Sequence, residues 1–294
     1  MPRVTGPTIA RWRLGKELKQ LREASGRSFT DAAERLGCSE SKIRKIEAAE
    51  VGVVRAELES LLDLYKADDD DMKELLHELQ KVGKQRGWWT PLGTMPKQYT
   101  FFVALESDAQ RIRTFEPMVI PGLLQTEEYS SALDAMSTFE SPEEQDRATQ
   151  IRMARQEAFW RERGDPSRLW VIIDEAALRR PAGRKPGVMR GQLMRLLELS
   201  DRCIFQVMPF EAGIYPGAIG SFTIFDFPEN IHSPVVYTDS QAGIAYLERS
   251  ADVERASRAF GHMAAMALSP SQSAKKILAI LSEMAKTQGG EHEG

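Results

Sequence analysis

Ser39-Glu-Ser-Lys-Ile-Arg-Lys45 gathers hydroxyls, a carboxylate and three cationic side chains within one short stretch. Wound as a helix at about 100° per residue, it turns Ile43 and Ile46 inward at i, i+3 spacing. Ser41, Arg44, Lys45 and Ala48 then point away, with Lys42 on the flank. A short helix with a buried seam and a basic, small-residue outer face suits insertion into a DNA major groove. Taken singly, Arg44 and Lys45 also fit a solvated helix face. Glu40 could equally serve as a helix-start charge that complements the macrodipole.

Other constellations offer less chemistry. His77, His232, His262 and His292 are scattered, without H-x-x-x-H or H-E-x-x-H spacing for a metal. Gly217-Ala-Ile-Gly220 lacks the Lys-Ser/Thr of a phosphate loop and precedes an expected strand. Asp174-Glu175 follows an apolar run, where strand-end carboxylates can do acid–base work, or simply begin the next helix as favourable charges. Asp226 and Asp239 read equally as strand-end or turn residues. Cys38 and Cys203 are too few and too far apart for a disulfide framework or a metal knuckle. We therefore expect no cofactor, no metal and no catalytic residue.

The elements that must position Ser39–Lys45 are legible around it. Ser28 with Asp31 three residues on forms a capping box opening a helix whose apolar face is Phe29, Ala32, Ala33 and Leu36. Gly37-Cys38 turns the chain and Ser39 caps the next helix. Ile9 to Ala24 reads as a preceding helix with Leu14, Leu18 and Leu21 on one side, and Val54 to Tyr65 as a following one. Four or so helices joined by loops of a few residues make a compact all-α head.

Glu34-Arg-Leu-Gly37, Ser39-Glu-Ser-Lys-Ile43 and Lys45-Ile-Glu47 resemble the helix-turn-helix domain of the XRE (lambda-repressor-like) family. The resemblance implies that Ser39 to Lys45 form the recognition helix. It implies DNA contacts from Ser28, Ser39, Glu40, Ser41, Lys42, Arg44 and Lys45, with Ser28 and the amides after it against a phosphate. Phe29 stands where many members carry a DNA-contacting Gln, which points to a core role there.

Charge distribution agrees with a DNA-binding head. Although the whole chain carries −4, residues 1–50 hold 11 Lys or Arg against 7 Asp or Glu, and residues 67–294 hold 26 against 33. With 42% hydrophobic and 28% charged residues the chain is an ordinary globular one. No signal-peptide core and no apolar run of about 18 residues is present, so we expect a cytoplasmic protein with no membrane association.

Asp68 to about Lys84 reads as a charged helix striped by Leu75, Leu76, Leu79 and Val82, followed by a break at Gly87-Trp-Trp-Thr-Pro91. Trp88 and Trp89 read as packed against one of the domains, with stacking on a base or ligand as the other reading. A helix is expected from Phe101 through Phe115 or Glu116. Pro121-Gly-Leu-Leu-Gln-Thr126 turns into a helix to about Met136, and Ser141-Pro142 starts a long one to about Arg163. Leu169–Asp174 and Cys203–Met208 read as parallel strands joined by a helical crossover from Val188 to Ser200. Ser221–Phe227 and Pro234–Thr238 read as an antiparallel hairpin. Helices are expected at about 245–267 and 271–286.

The segments at 105–129, 152–156, 174–180, 207–213 and 220–227 together resemble an actinobacterial regulator domain of unknown function. That domain is usually found behind an XRE head in the Scr-type antitoxin-like and WhiJ-like regulators. The resemblance spans nearly all of residues 100–285, and the PGLLQT run is its most specific part. It implies a transcription factor working with a small partner protein from a neighbouring gene. Candidate partner- or ligand-binding residues are Glu106, Arg113, Gln125 and Thr126.

These readings give an all-α helix-turn-helix head at 1–68, a helical connector at 69–100, an α+β regulatory domain at 101–286 and a disordered tail at 287–294. The α+β part should hold a small mixed sheet of about four strands flanked by helices. The expected function is a non-enzymatic, sequence-specific regulator of transcription that binds double-stranded DNA as a homodimer. Its C-terminal domain would dimerise and receive a signal from the partner protein or a small-molecule effector. The alternative is an enzyme, a hydrolase or nucleotide-acting protein, tethered to DNA by the head.

Overall fold

A computed structural model describes residues 7–85, 87–92, 95–136, 141–161, 165–183, 187–217, 220–228, 233–240 and 243–290. They fall into two compact units, one reaching Asp108 and including Pro228, the other comprising Ala109–Phe227 and the residues from Ser233 onward.

The first unit is helical: α1 (Pro7–Ala24), α2 (Phe29–Leu36), α3 (Glu40–Glu47), α4 (Arg55–Leu64), α5 (Asp70–Gly83) and α6 (Lys97–Asp108). Local chemistry sets the helix pair as expected. Ser28 Oγ accepts from the Asp31 amide at 3.1 Å while Asp31 Oδ2 accepts from the Ser28 amide at 2.8 Å. Gly37 closes α2 at φ 60°, in the left-handed region that glycine enters at no steric cost, and Ser39 caps α3. Asp69 caps α5 through the amides of Asp71 and Met72. Leu14, Leu18, Ala32, Ala33, Ile43, Ile46, Leu58, Leu61, Leu62 and Leu76 make one buried core.

Gly15 decides how closely α1 meets α3. A Cβ there would lie 2.6 Å from the Glu47 carbonyl oxygen and 2.7 Å from that of Ile46. Those are backbone atoms and cannot swing aside. Gly15→Ala is therefore expected to cost about 1–3 kcal/mol despite alanine's better helix propensity, because α3 must be displaced. Chemical denaturation measures this, and an unchanged or raised stability would refute so close an approach.

α6 packs on α1, with Trp12 and Phe101 edge-on at 4.9 Å. Trp89 is buried, and Trp88 lies edge-on to it at 5.8 Å while its indole N–H donates to Ser107 Oγ at 3.0 Å.

The second unit opens on β1 (Arg111–Glu116) and continues through α7 (Glu127–Asp134), α8 (Pro142–Trp160), β2 (Leu169–Asp174), α9 (Glu175–Arg179), α10 (Val188–Leu199) and β3 (Ile204–Met208). A meander of β4 (Phe222–Asp226), β5 (Val235–Ser240) and β6 (Gly243–Leu247) follows, then α11 (Ser250–Met266) and α12 (Pro270–Gly290). The sheet order is β3-β2-β1-β4-β5-β6. β1, β2 and β3 run parallel, and β4, β5 and β6 add antiparallel. Phe115, Ile172, Met208, Ile224 and Val236 on one face bury Phe260 and Met263 of α11.

The mixed, helix-flanked sheet and the parallel and hairpin pairings match expectation, but the strand number does not: the described residues form six strands, where about four were expected. The helix expected from Phe101 to Glu116 ends at Asp108, and its last stretch is β1. Paired residues explain the change. Ile112 and Thr114 share a face, and the Thr114 hydroxyl is buried against that of Thr223 at 2.8 Å, so a polar position is an inward one. β6 takes up the start of the helix expected from 245. At the C-terminus α12 runs through Gly290, so the expected tail begins no earlier than 291, and residues 291–294 lie outside the described residues.

Candidate nucleic-acid interface

α3 buries Ile43 and Ile46 and leaves Ser41, Arg44, Lys45 and Ala48 exposed, the division its spacing predicts. Its C-terminal end is fixed from α1. Arg22, buried at the end of α1, donates from Nε and Nη2 to the two Glu47 carboxylate oxygens at 2.6 and 3.0 Å. A two-pronged pair of this kind fixes direction as well as distance. Its N-terminal end is held by Thr30, whose hydroxyl donates to Glu40 at 2.6 Å.

The candidate DNA-binding residues differ in how far they are already engaged. Ser28 gives both its amide and its hydroxyl to Asp31, whose carboxyl these bonds hold below its ordinary range. That sets a negative charge beside the helix start where a phosphate was expected. Ser39 Oγ accepts from the Lys42 amide at 3.4 Å. Lys42 is ion-paired with Glu57 on α4, and this hydrogen bond raises its pKa. Glu40 pairs with Arg44 at 3.5 Å. Ser41 and Lys45 stand exposed on the same outer face.

Phe29 is neither solvent-facing nor fully in the core. It lies at the core's edge with the guanidinium carbons of Arg22 and Arg44 at 4.0 and 3.8 Å from its ring centre.

The candidate partner- or ligand-binding residues lie on different elements. Glu106 is buried in α6, in the first unit. Arg113, on β1, holds Asp226 through two hydrogen bonds at 2.9 and 2.8 Å and reaches Ser257 on α11. Gln125 and Thr126 belong to the PGLLQT segment, whose backbone is closed off by side chains. The carbonyls of Ile120, Gly122, Leu123, Leu124 and Gln125 accept from Gln125, Gln156, Trp160, Gln192 and again Gln156. Thr126 caps α7 and gives its amide to Gln192 at 2.7 Å. Beyond one 3-10 turn at Gly122–Leu124, this segment thus resolves its buried polar backbone through side chains.

The Asp174-Glu175 pair is equally occupied. Asp174 caps α9 and accepts from the Tyr215 hydroxyl. Glu175 accepts from Arg179 at 2.7 Å, Lys276 at 2.8 Å and the Phe210 amide. Burial alone would raise its pKa, but these hydrogen bonds prevail and hold it low. Glu116, at the carboxyl end of β1, is the contrast: burial, then the charge of Asp239, pushes it up to about 8.

Comparison with known families bears on both units. Residues 13–75 match a family described as "Helix-turn-helix domain". Residues 99–279, more than half of the chain, match the family described as "Domain of unknown function (DUF5753)". The chain belongs to the DUF5753 family. No curated protein and no solved structure matches it.

The DUF5753 match takes in most of α6 and the sheet unit as far as residue 279, and within it lie the capped carbonyls of Ile120 and of four PGLLQT residues. Three features of the head lie outside the sequence reading: the Arg22–Glu47 pair, the Thr30–Glu40 bond and the Arg22–Phe29–Arg44 stack. Only Gly15 hints at them, since a glycine amid a helical pattern costs about 1 kcal/mol relative to alanine and so marks a close crossing. No described helix is long and apolar enough to cross a membrane.

Proposed function

We propose that this chain is a sequence-specific, DNA-binding regulator of transcription, without enzymatic activity of its own, whose recognition helix is α3. The observation that carries the reading is the two-sided α3: Ile43 and Ile46 at 1% and 3% exposure against an outer face of Ser41, Arg44, Lys45 and Ala48. One such helix reads only a few base pairs. We accordingly read the working form as a homodimer on half-sites about 34 Å apart, joined through the DUF5753 part. In this reading a small partner protein encoded nearby, or a small-molecule effector, acts on that part and alters DNA affinity. The resemblance to antitoxin-like regulators supports the protein partner.

Arg44→Ala or Lys45→Ala is expected to weaken operator binding by about 1–3 kcal/mol if the residue reaches a base, and less if it reaches only phosphate. Fluorescence anisotropy on operator duplexes measures this. Unchanged affinity in both variants would remove α3 from the interface. A monomer mass by light scattering at micromolar concentration would count against the dimer.

One feature favours the second reading, a DNA-tethered enzyme: burial, then the charge of Asp239, pushes Glu116 up to about 8, into the range of a general acid. A reaction catalysed by the intact protein and lost in Glu116→Gln would establish it.

A further inference from the structure

Phe29 has the guanidinium carbons of both Arg22 and Arg44 over its ring, at 4.0 and 3.8 Å from the ring centre. The inner one, Arg22, is buried and engaged at all three nitrogens, donating to both Glu47 oxygens and to the Arg27 carbonyl at 3.2 Å. It fixes the ring. The outer one, Arg44, rests on that fixed ring and is drawn from one edge by Glu40 at 3.5 Å. Glu40 is itself anchored by Thr30. Arg44 is nonetheless more than half exposed, with its side chain at 58%. A surface arginine ordinarily samples many rotamers and collapses onto the nearest phosphate. This one is held by a ring and a carboxylate, so part of the ordering cost of binding is met before DNA arrives. Lys45, exposed beside it, has no such clamp among the described residues.

Resting on the reading of α3 as the DNA-facing helix, we propose that Arg44 is the specificity-determining residue and reads a guanine, with Phe29 as its positioning residue. A planar fork held in one orientation matches the O6 and N7 acceptors that guanine presents together in the major groove. Lys45 supplies sequence-independent attraction to phosphate. Glu40 repels the phosphate backbone and keeps the Arg44 fork over the base edges.

The test is selection of full-length protein on a pool of randomised duplexes, followed by affinity measurements on the enriched site and on the same site with each guanine replaced. The wild type should enrich one guanine per half-site and discriminate against its replacement on the order of 10-fold or more. Arg44→Ala and Arg44→Lys should lose that discrimination while still binding random duplex. Phe29→Leu keeps an apolar side chain but no aromatic face. It should reduce the discrimination several-fold, with affinity for random duplex and the thermal midpoint nearly unchanged. Glu40→Gln, which keeps the Thr30 bond but not the charge, should do the same more mildly. Full discrimination in Arg44→Ala would overturn the guanine assignment, and full discrimination in both Phe29→Leu and Glu40→Gln would overturn the clamp. Wild-type protein that binds no duplex would overturn the reading of α3 itself, and this assignment with it.

Discussion

Glu47→Ala is expected to destabilise the helical head by about 3–5 kcal/mol, the cost of removing one partner from a buried ion pair. Both side chains are nearly sealed, Arg22 at 8% and Glu47 at 6% exposure, and they join helices that are far apart in sequence. Without the carboxylate, Arg22 keeps its charge in a space lined by Tyr65 and Phe29, with the Arg27 carbonyl at 3.2 Å and the exposed Glu23 carboxylate at 3.6 Å left to receive its donors. Tyr65 offers little relief. Its hydroxyl is buried without a hydrogen bond, and burial, then the Glu47 charge, pushes its pKa up to about 12. Because Glu47 is the last residue of α3, the loss falls on the helix that carries Arg44 and Lys45. Urea unfolding followed by circular dichroism should register it, and operator affinity should fall in parallel. A stability within 1 kcal/mol of the wild type would show that the pair only breaks even against water.

That pair also marks where sequence reading stops. Ser28, Gly37 and Ser39 announce themselves because their effect is local: each satisfies or turns backbone within a few residues. Ile43 and Ile46 are legible for the same reason, since one helical turn places both on one face. Arg22 and Glu47 are 25 residues apart, and each alone looks like one more charge on a helix surface. The same limit produced the misread segment before Pro117. Phe102, Leu105, Ala109 and Ile112 keep a helical spacing, yet Thr114 is inward because Thr223, more than a hundred residues on, takes its hydroxyl. In PGLLQT the run itself was conspicuous, but its partners Gln156, Trp160 and Gln192 come from α8 and α10. Polar side chains that cap a buried backbone are indistinguishable, in sequence, from polar side chains that await a ligand.

Glu116→Gln is expected to flatten the pH dependence of stability between about pH 4.5 and 8, and to leave the variant more stable than wild type at alkaline pH. In the fold the carboxyl is crowded on most sides and keeps its proton up to about pH 8, first because burial disfavours the charge and then because Asp239 repels it. In the unfolded chain it ionises near 4.5. Below that value both states are protonated and the contribution of Glu116 is fully present. As pH rises, the unfolded state ionises while the native state retains its proton. The native state then binds more protons, and stability falls by up to about 1.4 kcal/mol per pH unit until the folded group itself ionises near 8. The total is at most about 5 kcal/mol, and smaller to the extent that water reaches the partly exposed carboxylate. Burial, with smaller contributions from nearby carboxylates, raises the Tyr129 and Tyr237 hydroxyls above the ordinary tyrosine range, so neither ionises within this window. Asp239→Asn should recover a minority of the effect, because repulsion is the smaller of the two causes. Urea unfolding at pH 5.5, 7.0 and 8.5 would separate the variants, and parallel profiles for wild type and Glu116→Gln would mean that Glu116 ionises in the fold as it does in water. A ligand that brought a positive charge to Glu116 and Asp239 would act in the opposite direction to rising pH, stabilising the ionised pair and releasing a proton as it bound.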